Sequence, residues 1–341
     1  MLKFLRCSNF LLTFLFLHLC LSPLIGRVEH VVAISLDGCR ADAITRLGEK
    51  GLPTIFALMK NGVSTLNARS DYNFTNTVPN HICMLTGKSV LGPAGHNYRM
   101  NYTGRKNLHQ NKGSYIHSIF DVVHDKGLST AFFVSKSKLA ILALSYNHKN
   151  GAKDPALPGF GRAKIDYSKI SDTDIITLDA YLKTLSSKRP NFSFVHFRGL
   201  DSAGHGYGWM SVQYLYELKQ QDGYVARIYG AIKKDNLLRN RTIIILTSDH
   251  GGSGHGHSDS TNRACFTVPF IVWGRGVAAG LDLYALNRKT RADPGDGQIS
   301  YQSSKQPIRN SDLPGLVARI LALPAVPGSN IGNKLDFVLV P

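Results

Sequence analysis

The sequence has 341 residues, of which 43% are apolar, and a formal net charge of +17. This length and apolar content suffice for one large α/β domain or for two small ones. A positive charge of this size favours anionic ligands. The Lys and Arg residues are scattered rather than clustered, however, which favours a solvated basic surface on an exported protein. No basic stripe with interleaved aromatic residues occurs, which argues against a nucleic-acid-binding module.

The first 26 residues have the pattern of a secretory signal. Lys3 and Arg6 precede an apolar run at 10–21, which is too short to favour a membrane-spanning helix. We therefore expect a signal peptide at 1–26, export to the periplasm or the extracellular space, and no stable membrane association after cleavage. No Ala-x-Ala cleavage motif is present, so an uncleaved N-terminal anchor remains the alternative. Removing Lys3 and Arg6 would lower the charge from +17 to +15.

Beyond this segment, short β-branched runs alternate with helical patterns. The predicted strands are 31–36, 192–197, 242–247 and 268–273, and the predicted helices are 53–60, 116–126, 172–186, 212–234 and 313–323. The alternation predicts an α/β fold with a mostly parallel central sheet and helices on both faces, in a single domain at 27–341. Two polar segments rich in Gly and Pro, 147–166 and 278–306, are expected to be long surface excursions that border a substrate cleft. At most one disulfide can form in the mature chain, and free buried thiols are the alternative for Cys39, Cys83 and Cys265.

Three aspartates follow predicted strands. Asp37, Asp201 and Asp249 come just after the runs at 31–36, 192–197 and 242–247. In open α/β sheets, sites form beyond the carboxyl ends of the strands. These carboxylates are therefore expected to converge at one edge of the sheet.

Further candidate ligands lie beside these aspartates. His205 follows Asp201 by four residues, His250 follows Asp249 directly, and the Gly-His-Gly-His run offers His255 or His257. Thr77 opens a Thr-Val-Pro-Asn-His segment that predicts a loop leading into a helix at residue 80, where helix N-termini attract anions. Each motif alone is also compatible with an ordinary turn or helix cap. As an ordered set of carboxylates, imidazoles and one hydroxyl, they favour two zinc ions.

The motifs together resemble the alkaline phosphatase superfamily, and specifically its type I phosphodiesterase/nucleotide pyrophosphatase family. The segments that carry the resemblance are Ser-Leu-Asp37-Gly-Cys-Arg-Ala-Asp, Thr77-Val-Pro-Asn-His-Ile-Cys-Met-Leu-Thr-Gly, Leu-Asp201-Ser-Ala-Gly-His205-Gly-Tyr-Gly and Thr-Ser-Asp249-His250-Gly-Gly with Gly-His257. The resemblance extends over approximately residues 30–325. It implies an alkaline-phosphatase-like catalytic domain.

The resemblance also implies roles for individual residues. One zinc ion would be bound by Asp37, Thr77, Asp249 and His250, and the other by Asp201, His205 and His257; other divalent ions remain an alternative to zinc. By the same resemblance Thr77 would be the nucleophile. A hydroxyl needs a base or a metal to react at neutral pH, and a zinc ion bound to its oxygen would favour the alkoxide. Asn101 is expected to bind a phosphate oxygen, with Asn97 as the alternative.

Three departures from the family pattern leave the last metal ligand and the substrate open. The last His ligand follows His250 by only seven residues, and His255 competes with His257 for that role. Lys136 and Lys138 resemble a Lys-x-Arg element of Thr-dependent alkaline phosphatases that binds phosphomonoesters, but the second cation is Lys, which cannot bind phosphate in a bidentate manner. We therefore expect a phosphodiesterase or nucleotide pyrophosphatase.

A phosphomonoesterase that uses Lys136 and Lys138 for substrate binding is the alternative, and a non-catalytic binding protein on the same fold is a weaker one. A sulfatase is disfavoured because no Cys/Ser-x-Pro-x-Arg motif occurs. The expected partner is a small phosphate ester and no specific nucleic acid, and the oligomeric state stays open.

Overall fold

The computed structural model describes residues 27–154 and 161–341. The predicted signal segment, 1–26, lies outside the described residues.

The strands are β1 His30–Leu36, β2 Gly62–Arg69, β3 Thr130–Val134, β4 Tyr167–Ile170, β5 Phe192–Phe197, β6 Thr242–Thr247, β7 Thr267–Gly274 and β8 Leu281–Asp282. They form one eight-stranded sheet in the order β4-β3-β5-β1-β6-β7-β2-β8. Strand β7 pairs antiparallel with both β6 and β2, and the other pairs are parallel. The predicted mostly parallel sheet is confirmed.

Helices cover both faces of the sheet. They are α1 Ala41–Gly51, α2 Pro53–Lys60, α3 Thr77–Thr86, α4 Leu108–Lys112, α5 Ile119–His124, α6 Ala140–Ser145, α7 Asp174–Lys188, α8 Gly199–Tyr207, α9 Val212–Lys234, α10 Arg263–Phe266, α11 Leu283–Asn287 and α12 Leu313–Ile320. Among the described residues, no helix combines the length and the apolar character needed to cross a membrane.

Strand β1 shows why the central strands are mostly apolar. Successive side chains point to opposite faces, so Val31 and Ala33 join one hydrophobic core with α3, α5 and α12. Val32 and Ile34 join a second core with α2, α7 and α9. Every residue of β1 is buried. A strand between two cores has no solvated face, which is why a nearly continuous apolar run predicted it correctly.

Several elements differ from the predictions. Helix α3 begins at Thr77 rather than at residue 80, because a proline at the third position needs no backbone hydrogen-bond partner in the first helical turn. Helix α1 and strands β2 and β3 were not among the predicted elements. The segment 278–306, predicted to be a long surface excursion, contains β8 and α11. Of the excursion at 147–166, residues 155–160 lie outside the described part. The three cysteines of the described residues are buried free thiols.

Candidate active site

Three buried carboxylates meet at the carboxyl edge of the sheet. Strand β1 lies between β5 and β6 and pairs in parallel with both. The three strand ends therefore lie side by side. Asp37 follows β1, Asp249 follows β6, and Asp201 stands in the first turn of α8, which follows β5. Their exposed fractions are at most 3%.

The first group of side chains comprises Asp37, Asp249 and His250, whose candidate ligand atoms lie within 4.8 Å of one another. The Nε2 atom of His250 is 3.5 Å from Asp37 Oδ1 and 3.2 Å from Asp249 Oδ2. Thr77 Oγ1 lies 3.3 Å from the same Nε2 atom. The structure thus brings all four residues of the first predicted ion site together.

The second group comprises Asp201, His205 and His257, again within 4.8 Å. Asp201 Oδ1 lies 3.4 Å from His205 Nε2 and 3.6 Å from His257 Nε2. The rings of His250 and His257 stack with centroids 3.7 Å apart, so the two groups are adjacent. His255 lies outside the group: its ring is exposed, and Nδ1 bonds to the backbone carbonyl of His205.

The unpaired atoms of these groups fit metal ions. Asp37 Oδ1, Asp201 Oδ1 and Asp249 Oδ2 are buried and have no hydrogen-bond partner. Buried polar atoms are normally paired, so three converging unpaired carboxylate oxygens indicate that a cation belongs there. Mixed carboxylate and imidazole ligands suit zinc.

The three histidine rings are oriented by backbone carbonyls. Nδ1 of His250 lies 2.8 Å from Gly251 O, that of His257 lies 2.6 Å from Thr75 O, and that of His205 lies 2.8 Å from His255 O. A carbonyl can only accept, so Nδ1 carries the hydrogen and Nε2 presents a lone pair to the group. Metal-binding histidines are commonly held in this way.

Thr77 and Asn101 are held beside the first group. Thr77 is the first residue of α3 and is fully buried, so its hydroxyl stands at a helix N-terminus. The next residue, Val78, donates its backbone N–H to Asn101 Oδ1 at 3.0 Å. Nδ2 is then the end of the Asn101 amide that can donate to a ligand. Asn97, the alternative, donates instead to Gly92 O.

Lys136 points into the site. It follows β3, is 7% exposed, and its Nζ atom lies 2.7 Å from Asp37 Oδ2 and 2.6 Å from Asp201 Oδ2. Burial alone would lower the pKa of Lys136, but the surrounding carboxylates hold that pKa above its ordinary value. Burial would likewise raise the pKa of Asp37, but Lys136 and His196 hold it well below the ordinary value.

Lys138 lies closer to the rim than Lys136. It is partly exposed, and burial together with the Lys136 ammonium lowers its pKa. Thr103 Oγ1 donates to its backbone carbonyl. The two lysines are therefore not equivalent, because only Lys136 forms direct hydrogen bonds with the candidate ligands.

Sequence reasoning missed two buried histidines. His81 Nδ1 lies 2.8 Å from Thr77 O, and its Nε2 lies 3.0 Å from Ser35 Oγ. Burial lowers the pKa of His81 to about 4, so the ring is neutral. His196 Nε2 lies 2.9 Å from Asp37 Oδ2. The signals were the four-residue helical spacing from Thr77 to His81 and an imidazole inside an otherwise apolar strand.

Trp209 is the third residue that the sequence did not reveal. Its Nε1 donates to Gly38 O at 3.0 Å, and its ring centroid lies 5.1 Å from that of His205. A Cβ atom at Gly204 would lie 2.5 Å from this indole, and one at Gly252 would lie 2.2 Å away. Both glycines are therefore needed for the ring to pack beside the second group.

Comparison with known proteins agrees with the resemblance. Residues 31–268 match the family model described as type I phosphodiesterase / nucleotide pyrophosphatase. GPI ethanolamine phosphate transferase 1 of Emericella nidulans is 38% identical over 93 residues, which cover 26% of this chain and 9% of that protein. Human ectonucleotide pyrophosphatase/phosphodiesterase family member 1 is 28% identical over 235 residues, which cover 64% of this chain and 23% of that protein. The chain thus matches less than a quarter of the length of either relative.

Solved structures share the fold. Murine ectonucleotide pyrophosphatase/phosphodiesterase 5, in an inactive form in complex with AMP, has a TM-score of 0.60 at 14% identity over 91% of this chain and 99% of that chain. A 2-O GAG sulfatase has a TM-score of 0.62 at 14% identity over 89% of this chain and 73% of that chain. The alkaline-phosphatase-like fold predicted from sequence is confirmed. Since the family model spans every predicted ion ligand, this chain belongs to the type I phosphodiesterase/nucleotide pyrophosphatase family.

Proposed function

We propose that the protein is an exported two-zinc phosphoesterase that hydrolyses phosphodiester or nucleotide pyrophosphate bonds through a phospho-threonine intermediate. The observation that carries the proposal is the Thr77 hydroxyl, 3.3 Å from His250 Nε2 and beside two groups with unpaired carboxylate oxygens. The substrate is a small phosphate ester. The proposal includes a signal peptide at 1–26 and one catalytic domain at 27–341.

The chain's own residues would carry the reaction in two steps. Thr77 Oγ1 attacks phosphorus, and the bond to the leaving oxygen breaks. Water then cleaves the Oγ–P bond, which restores the hydroxyl and releases the phosphate product. Zinc ions bound by the two groups would favour the Thr77 alkoxide and neutralise charge on the ester and leaving oxygens.

Other residues of the chain would hold the phosphate. The amide of Asn101 is oriented by Val78 N–H so that Nδ2 can donate to a phosphate oxygen. The N-terminus of α3 adds a favourable dipole. Preorganised donors of this kind stabilise charge that develops in the transition state.

A phosphomonoesterase is the second candidate, and Lys136 favours it. Its Nζ atom lies 3.4 Å from Thr77 Oγ1, so this cation stands beside the attacking oxygen. A monoester carries about one more negative charge than a diester near neutral pH. A buried ammonium at this point, together with Lys138 at the rim, would stabilise that extra negative charge.

Transfer to an alcohol rather than to water is a related outcome. The GPI ethanolamine phosphate transferases are named for a transfer reaction, and the one from Emericella nidulans is 38% identical in the matched segment. The two steps above would be unchanged except that an acceptor hydroxyl would replace water. Adding a primary alcohol such as ethanolamine to the assay would reveal this activity as a new phosphodiester product.

The test compares wild type with Thr77→Ala and Thr77→Ser. Zinc-loaded protein is assayed with bis-p-nitrophenyl phosphate, p-nitrophenyl phosphate and a nucleotide diester. We expect Thr77→Ala to lose turnover with an unchanged melting temperature, and Thr77→Ser to keep part of it because the hydroxyl survives. Near wild-type rates in Thr77→Ala would contradict the proposal. A preference of wild type for the monoester by more than about tenfold in kcat/KM, ~1.4 kcal/mol of transition-state discrimination, would favour the second candidate.

Metal content supplies an independent check of the same proposal. We expect two ions per chain by elemental analysis, loss of activity in chelator, and recovery with zinc. Finding a single ion, or full activity after exhaustive chelation, would contradict the two-ion mechanism.

A further inference from the structure

Lys136 joins the two groups of candidate ligands. Its ammonium reaches Asp37 Oδ2 at 2.7 Å, Asp201 Oδ2 at 2.6 Å and Thr77 Oγ1 at 3.4 Å. These residues lie after β1, in α8 and at the start of α3. An ammonium has three hydrogens, so each can be directed at a different element of the fold.

The two aspartates divide their oxygens in the same way. In Asp37 and in Asp201, Oδ2 contacts Lys136, whereas Oδ1 is unpaired and lies near the imidazoles of its own group. Asp37 belongs to the first group and Asp201 to the second. Lys136 therefore contacts one aspartate of each group through Oδ2, the oxygen that faces away from the imidazoles of that group.

Charge explains why such a contact matters. Asp37, Asp201 and Asp249 are buried together, and like charges in a poorly solvated site repel. Within the described residues that surround these carboxylates, Lys136 is the cation that bonds directly to two of them. Bound ions would supply the same compensation, so the ammonium is needed most when they are absent.

We propose that Lys136 is a positioning residue that bridges the two ion sites, compensating the charge of Asp37 and Asp201 and holding both in their ligand orientation before the ions bind. The proposal rests on the two-ion site of the proposed function. It assigns Lys136 a role in assembling the site, in addition to any contact with substrate.

The test measures melting temperatures of wild type, Lys136→Met and Lys136→Gln, each in chelator and with two equivalents of zinc. Leaving buried carboxylates without their cation is strongly destabilising, so we expect both variants to melt about 5 °C or more below wild type in chelator. With zinc, the difference should shrink to less than half, because the ions replace the missing charge.

Arg291→Met is the matched control. Arg291 is buried and its Nη2 atom lies 2.8 Å from Asp312 Oδ1, outside the groups of candidate ligands. Its loss in melting temperature should be the same with and without zinc. A zinc-independent loss in the Lys136 variants, or no loss in chelator, would overturn the bridge.

A double variant removes one of the repelling carboxylates together with the cation. Adding Asp201→Asn to Lys136→Met should recover melting temperature in chelator, whereas a further additive loss would contradict the charge argument. If wild type binds no zinc, the proposed function fails, but the measurements in chelator still decide whether Lys136 bridges the aspartates.

Discussion

Replacing Gly204 with alanine would crowd Trp209 beside the second ion group. The added methyl would lie 2.5 Å from the indole, about 1 Å inside the ~3.5 Å at which carbon atoms pack. The ring has little room to move, because Gly252 also packs against it, where an added Cβ would lie 2.2 Å away, and Nε1 is hydrogen-bonded to Gly38 O. The strain should therefore reach His205, whose ring centroid is 5.1 Å from that of Trp209.

Gly206→Ala provides the matched control, because it lies in the same helix with nothing within 4 Å of the added methyl. Replacing a helical glycine with alanine raises the free energy of unfolding of both variants by up to about 1 kcal/mol. Overpacking in Gly204→Ala costs ~1–3 kcal/mol, so its free energy of unfolding should be lower than that of Gly206→Ala by about that amount.

Denaturant unfolding measures this difference, and zinc titration with kcat/KM on bis-p-nitrophenyl phosphate measures the effect on the site. We expect Gly204→Ala to bind the second zinc ion more weakly and to turn over more slowly, whereas Gly206→Ala should match wild type in both. Equal unfolding free energies and equal zinc binding in the two variants would refute the reasoning.

Three further predictions concern single side chains. His257→Ala should lower zinc content from two ions toward one, whereas His255→Ala should leave it at two; the reverse result would exchange their roles. Asn101→Ala should lower kcat/KM by about tenfold or more with little change in melting temperature, since a lost hydrogen bond to a charged group costs ~1.5–3 kcal/mol; an unchanged kcat/KM would remove Asn101 from the site. Arg309→Met should lower the free energy of unfolding by about 3 kcal/mol, because its buried guanidinium donates to Ser70 O and to Gln306 Oε1. The exposed Arg239→Met should change it by less than about 0.5 kcal/mol in denaturant unfolding, and equal losses in the two variants would contradict this account of Arg309.

The sequence alone determined the bounds of several strands and helices, because these depend on residues that are adjacent along the chain. Strands β5 and β6 have the predicted bounds, because a strand buried on both faces needs a nearly continuous apolar run. Helices α2 and α9 also have the predicted bounds. The sequence likewise predicted that each aspartate follows the end of a strand, since strand ends are set by local sequence.

Only the tertiary structure decided which side chains meet. The placement of β1 between β5 and β6 joins Asp37 to Asp201 and Asp249, and no local pattern encodes strand order. Lys136 illustrates the same limit. Its sequence context suggested a cation near phosphate, but the two carboxylates it bonds lie 99 and 65 positions away along the chain, one before it and one after. Periodicity reports which face of an element is buried, whereas the direction of one ammonium is set by the packing of β3 against the rest of the sheet.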